Sequence, residues 1–163
     1  MDTEDDREFE KALQQYGAGA GWRQSVLYGF DGLALWFVPL LSWYEPVFGL
    51  SRRDPLTQGA LAVSLVVSLP LLVAAHKRMR LARLIRLERK GAEPAERALG
   101  SAATAFSLFY NNLLYLGTAA LLGNILLNGQ VPDAVNWLLS SSLSAAFVYL
   151  NATAARQRAH GTA

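Results

Sequence analysis

A run of basic side chains between residues 76 and 102 is the group in this sequence best suited to bind a charged partner. Residues 76–90 are predicted to be a helical extension of the apolar stretch before them. Because a helix makes a turn every 3.6 residues, basic residues at every third position form a stripe that winds around it. Such a stripe suits a polyanion, either phospholipid headgroups or a nucleic-acid backbone, and equally suits a topology determinant alone. No aromatic residue lies among residues 76–90 to stack on a base, so base reading is not expected. The basic residues are Lys77, Arg78, Arg80, Arg83, Arg86, Arg89, Lys90 and Arg97.

Three polar side chains interrupt stretches that are otherwise apolar. A carboxylate such as that of Asp31 costs about 2.5–3.5 kcal/mol at the centre of a bilayer. A carboxylate within a span is therefore expected to have a bonding partner or a function. We expect a structural role near the membrane surface, with Arg23 or a neighbouring helix as partner; the alternative is proton or ion handling. Asn111 and Asn112 point about 100° apart on a helix. We expect them to bond two different helices, one being the fourth span, while a polar substrate path is the alternative.

Small hydroxyl residues cluster near residue 140 and predict close helix packing. Ser140 and Ser144 lie one helical turn apart, the spacing that allows two helices to approach closely. A nucleophilic serine would need a base nearby, and we expect His76 at the membrane edge and His160 in the tail. The chain has no Cys. The sequence therefore predicts no catalytic residue, no metal site, no cofactor and no enzymatic activity.

The distribution of charge predicts the elements that position these residues. No Asp, Glu, Lys or Arg occurs in residues 57–75, 100–132 or 134–155, and 25–44 contains only Asp31. A spanning helix needs roughly 20 apolar residues. We therefore predict an all-α integral membrane protein with four transmembrane helices, at 25–44, 59–75, 103–127 and 134–150. Pro39 should bend the first helix, while Trp36, Trp43 and Tyr44 should anchor its end at the membrane surface.

The basic residues also predict an orientation. Four spans place residues 1–24, 76–102 and 151–163 on one side, with thirteen Lys and Arg, against two on the other. Since positive segments stay in the cytosol, both termini should be cytosolic. The chain then comprises an amphipathic N-terminal segment (1–24), a first helix pair (25–75, outer loop 45–58), a basic cytosolic loop (76–102), a second pair (103–150, outer turn 128–134) and a cytosolic tail (151–163). Within the N-terminal segment a short amphipathic helix over 6–16 is expected, and a flexible acidic terminus is the alternative.

Two strings resemble the gamma subunit of the translocon-associated protein (TRAP) complex, the signal-sequence-receptor gamma family. The first is Phe-Ser-Leu-Phe-Tyr-Asn-Asn at 106–112, and the second is Val-Asn-Trp-Leu-Leu-Ser at 135–140. The resemblance implies a non-enzymatic, four-span protein of the endoplasmic reticulum membrane, with cytosolic termini and lumenal connections at 45–58 and 128–134.

The same resemblance implies partners. These would be other TRAP subunits, the Sec61 translocon, membrane lipids and the ribosome, whose RNA backbone and protein would meet the basic loop at 77–97. Two features depart from the family. The cytosolic loop is shorter than the family's long charged hairpin, and Asp31 stands where a neutral Asn is expected, so no family role transfers to it. The alternative function is a small four-helix transporter or channel using Asp31, Asn111 and Asn112.

Overall fold

The structure is a computed structural model that describes residues 22–51, 53–89 and 96–161. All of its regular elements are helical, and these residues contain no β-strand. The helix predicted at 6–16 lies outside them. In chain order the elements are α1 (Trp22–Pro39), a π-helical turn (Leu40–Tyr44), α2 (Glu45–Phe48), α3 (Pro55–Arg89), α4 (Glu96–Leu121), a second π-helical turn (Leu122–Leu126) and α5 (Asp133–Gly161).

Four of the helical segments are long and apolar enough to cross a membrane. They are Trp22–Phe48, Pro55–Leu87, Leu99–Leu126 and Asp133–Ala159. This confirms the prediction of an all-α membrane protein with four spans. Apolar side chains as large as Phe30, Val66 and Phe109 lie on the outside, as expected of a bundle whose solvent is lipid.

The second and fourth helices extend beyond the predicted spans, which end at 75 and 150. A helical extension of the second span over 76–90 is predicted from the sequence, and α3 does continue to Arg89; the continuation of α5 to Gly161 is not predicted. Both helices continue because their inner faces stay apolar after the outer faces become charged: Met79, Leu84 and Ala152 are all buried. The basic connection therefore begins as a continuation of α3, and most of the predicted tail is helix.

The long helix α3 is the central packing element of the bundle. It makes its most extensive contact with α5 and also packs against α4 and α1. A row at every fourth position, Ser64, Ser68, Leu72 and His76, is completely buried along it. This spacing keeps the row on nearly one face. Small and polar side chains on that face allow the neighbouring helices to approach closely.

An aromatic cluster closes the end of the bundle that holds the 49–54 and 127–132 connections. We define it as Trp36, Tyr44 and Trp137 with their polar partners. Both indoles donate to the hydroxyl oxygen of Ser64, at 3.0 and 3.1 Å. The Tyr44 hydroxyl lies 2.7 Å from that of Ser140. The prediction that Trp36 and Tyr44 anchor at the membrane surface is therefore wrong, because their polar atoms find partners inside the bundle.

A π-helical turn follows Pro39 directly. Proline has no N–H and clashes with the preceding turn, so it interrupts the regular hydrogen bonding of α1. The next five residues form wider hydrogen-bonded rings, with Glu45 N–H donating to the carbonyl of Leu40. The sequence predicts a bend of the first span at Pro39. In the structure a local widening of the helix follows Pro39, and Tyr44 at the end of this widening is buried in the core.

The start of α3 is fixed by a side-chain cap. The backbone N–H and the hydroxyl of Thr57 both donate to the Asp54 carboxylate, at 3.0 and 2.9 Å. Asp54 precedes the apolar stretch and is exposed. The backbone N–H of Thr57 followed by its hydroxyl lower the pKa of Asp54. The cap therefore makes its full contribution to stability at pH values above the ordinary carboxyl pKa. This contribution is lost as the pH falls through the lowered pKa of Asp54.

Candidate functional site

Four polar side chains from three helices meet inside the bundle, and we call them the polar cluster: Asp31, His76, Asn111 and Asn112. The side-chain amide of Asn112 donates to Asp31 Oδ1 at 3.0 Å. His76 Nε2 lies 3.1 Å from Asp31 Oδ2. On the other side of the imidazole, the amide nitrogen of Asn111 lies 3.2 Å from Nδ1. The cluster thus joins α1, α3 and α4 through one chain of contacts.

Burial in the polar cluster is uneven. His76 and Asn111 are completely buried, and the ring of Tyr28 stacks on the imidazole with centroids 5.3 Å apart. The Asp31 side chain retains 21% exposure. The approach of Nε2 to Oδ2 is close but lacks the alignment of a hydrogen bond. The carboxylate is therefore held mainly by Asn112 and by electrostatic attraction, at the edge of the bundle.

The two ring nitrogens of His76 face two different helices. The amide nitrogen of Asn111 on α4 is a donor, so Nδ1 accepts when the amide is oriented as observed. The other nitrogen, Nε2, faces the Asp31 carboxylate on α1. The imidazole therefore bridges the amide of Asn111 and the carboxylate of Asp31.

The predictions for these residues hold only in part. Asn111 and Asn112 do bond two different helices, but these are α3 and α1, and the expected bond to the fourth span is not among the described contacts. His76, expected at the membrane edge, is completely buried between helices because α3 continues beyond it. Its place in the row with Ser64, Ser68 and Leu72 is the sequence signal that could have located it.

Three of the predicted polyanion-binding arginines hold the other end of the bundle together. The Arg78 guanidinium donates to the Thr153 hydroxyl and lies 4.3 Å from the centroid of the Tyr149 ring, both on α5. Arg80 is 6% exposed, and its Nε donates to the Thr104 hydroxyl at 3.0 Å. Arg83 Cζ lies 4.7 Å from the centroid of the Phe106 ring, a second contact with α4.

The remaining basic residues divide into two groups. Arg86 is exposed and Lys77 is half-buried, so both can reach a partner outside the bundle. The side chains of Arg89, Lys90 and Arg97 lie outside the described residues. We call Lys77 and Arg86 the outer basic set, and Arg78, Arg80 and Arg83 the inner basic set.

The serines of the fourth span lie in the core of the bundle. Ser140 and Ser144 are completely buried. The Ser140 hydroxyl donates to the Asn136 carbonyl at 2.7 Å and meets Tyr44. Among the described residues no three His, Asp or Glu side chains come close enough together to hold a metal ion.

These features define a class of protein: a multi-pass α-helical membrane protein with a polar cluster at its centre and arginines tying one end together. No profile of a known protein family matches the chain, and no curated protein is significantly similar to it.

Proposed function

We propose that this chain is a non-enzymatic membrane subunit of a translocon-associated complex in the endoplasmic reticulum. It would anchor the complex beside the Sec61 channel and link it to the translating ribosome, assisting co-translational translocation. Its termini and the arginine-tied end would face the cytosol, because thirteen of the fifteen Lys and Arg fall in those segments.

The string at 106–112 supports the proposal through both its resemblance and its position. Its polar residues Ser107 and Asn111 are completely buried, and Asn112 bonds α1. Phe109 is exposed on the apolar outside. A string that combines internal bonds with a lipid-facing ring is suited to hold a bundle together and to present a surface to other subunits.

The length of α3 is the observation that carries the proposal. Its 35 residues rise about 52 Å, against about 30 Å of hydrocarbon, so roughly 20 Å extends beyond the membrane core. The inner basic set braces this extension against α4 and α5. A rigid, positively charged projection suits contact with the phosphate backbone of ribosomal RNA.

Co-sedimentation of the detergent-solubilised protein with ribosomes across a salt series tests the proposal. Replacing the outer basic set, Lys77 and Arg86, together with Arg89 and Lys90 by Gln should weaken binding. The slope of log affinity against log salt should flatten by roughly 0.7–0.9 for each phosphate contact removed. The inner basic set is left intact in this variant, because its loss would release α3 from its neighbours.

The matched control is Arg53→Gln, which removes an exposed charge from the opposite end of the bundle. Its binding should equal that of the unmodified protein. If the outer variant binds with unchanged affinity and unchanged salt slope, the basic residues have a topological role only and the ribosome-linking function is wrong.

The polar cluster favours a second candidate, a small transporter or channel. A carboxylate 3.1 Å from an imidazole inside an apolar bundle is an arrangement that proton-conducting proteins use. This function predicts proton flux into liposomes that contain the purified chain, and Asp31→Asn should abolish it. The Arg53→Gln variant should conduct normally. Absence of flux above that of protein-free liposomes would exclude this candidate.

A further inference from the structure

A groove on the outside of the bundle leads to the polar cluster. It has a volume of about 210 Å³ and runs between α1 and α4. Because Ala34, Val38 and Leu116 are exposed, the groove opens towards hydrocarbon and not towards the bundle interior. Its lining residues are Asp31, Ala34, Leu35, Val38, Asn112 and Leu116.

The polar part of the groove lining calls for a donor. Asp31 retains 21% exposure there. Beside it, Asn112 Oδ1 is buried and has no hydrogen-bond partner. Both are acceptors, and the side-chain amide of Asn112, which donates to the carboxylate, carries no charge. A carboxylate in hydrocarbon is strongly unfavourable unless it is paired, so a cation would be attracted to this position.

The groove walls specify the shape of that cation. Apart from Asp31 and Asn112 the lining is aliphatic, which suits an apolar stem carrying a charge at its tip. A lysine side chain has four methylene groups and three donors on a compact ammonium. Arginine offers a planar fork suited to two carboxylate oxygens, but Oδ2 here is buried towards His76.

We propose that the groove between α1 and α4 is a docking site for a transmembrane helix of another protein that carries a lysine within its span. The ammonium lies at Asp31 and Asn112, and the partner helix covers Val38 and Leu116. The site depends on the bundle and its bilayer, not on ribosome binding, so either proposal can fail without the other.

Energy transfer in lipid nanodiscs tests the site with the full-length chain. The probes are labelled Leu-Ala transmembrane peptides that differ only at their central residue: Lys, Gln, Glu or Leu. The Lys peptide should associate about tenfold more tightly than the Leu peptide, with the Gln peptide between them and the Glu peptide no tighter than Leu. Equal association of the Lys and Leu peptides, or of the Lys and Gln peptides, would overturn the proposal without requiring any variant to fold.

Two variants locate the binding. Asp31→Asn should reduce the affinity for the Lys peptide to that for the Leu peptide. Ala34→Trp should block the groove without altering the carboxylate, while Ala62→Trp, the same change at an exposed position of α3, should leave binding unchanged. A lysine preference that survives Asp31→Asn would place the site elsewhere. If Ala34→Trp weakened the association of all four peptides equally, and the unmodified protein showed no preference for lysine, the groove would be a plain apolar face. That result would contradict the proposal.

Discussion

Replacing Gly123 by alanine should destabilise the bundle by about 2–4 kcal/mol, since overpacking a core costs about 1–3 kcal/mol and a lost hydrogen bond about 1 kcal/mol more. A Cβ at position 123 would overlap the Tyr44 hydroxyl and lie 3.0 Å from Cζ of the ring. Tyr44 cannot turn aside easily, because it is 1% exposed and its hydroxyl bonds Ser140. Unfolding by added SDS in mixed micelles measures the change.

Gly117→Ala is the matched control for this prediction. Gly117 lies in the same spanning segment, Leu99–Leu126, and a Cβ there would meet nothing within 4 Å. Its replacement should be neutral or stabilising by up to ~1 kcal/mol through helix propensity. Adding Tyr44→Phe to Gly123→Ala should cost less than the sum of the two single changes, because phenylalanine lacks the hydroxyl that the added Cβ would overlap. If Gly123→Ala were as harmless as Gly117→Ala, the described approach of Tyr44 would be wrong.

The substitution His76→Leu should destabilise the bundle by about 3 kcal/mol, the cost typical of removing one member of a buried polar pair. It leaves Asp31 Oδ2 without its imidazole neighbour and the amide nitrogen of Asn111 without an acceptor. Leucine is of comparable size, so the loss comes chiefly from unpaired polar groups and not from a cavity. SDS-induced unfolding followed by circular dichroism measures it.

The double variant Asp31→Asn with His76→Leu distinguishes an unpaired charge from lost packing. Asn at position 31 can still accept from Asn112 and carries no charge, so the double variant should be more stable than His76→Leu alone. A double variant whose loss equals the sum of the two single losses would show that the contact between Asp31 and His76 contributes no coupling.

The number and type of the helices followed from the sequence because charge is excluded from hydrocarbon. The same criterion predicts the helical extension of the second span but not the contacts that its basic residues make. The guanidinium groups of Arg78 and Arg80 bond threonines, and that of Arg78 also lies over the ring of Tyr149. Residue type alone does not distinguish an arginine in water from one tied to a neighbouring helix.

The contacts of the candidate site were less predictable, for a related reason. Asp31, Asn111 and Asn112 stood out as polar residues in apolar stretches, but their partners depend on which helix faces come together. His76 was missed because it adjoins Lys77, although its spacing of four from Leu72 and eight from Ser68 places it on the buried face. Likewise, the aromatic residues Trp36 and Tyr44 were assigned to the membrane surface because the serines that satisfy them lie far away in sequence.

The separation between partners along the chain has a consequence for synthesis. Asp31 bonds a residue 81 positions later, and the Tyr44 hydroxyl one 96 positions later. At roughly 5–20 residues per second, a ribosome takes about 4–16 s to add 81 residues. For that interval the first segment carries a carboxylate that lacks its amide donor. The hydrogen bond between Asp31 and Asn112 can therefore form only after the third segment has been synthesised, so this part of the bundle is completed late.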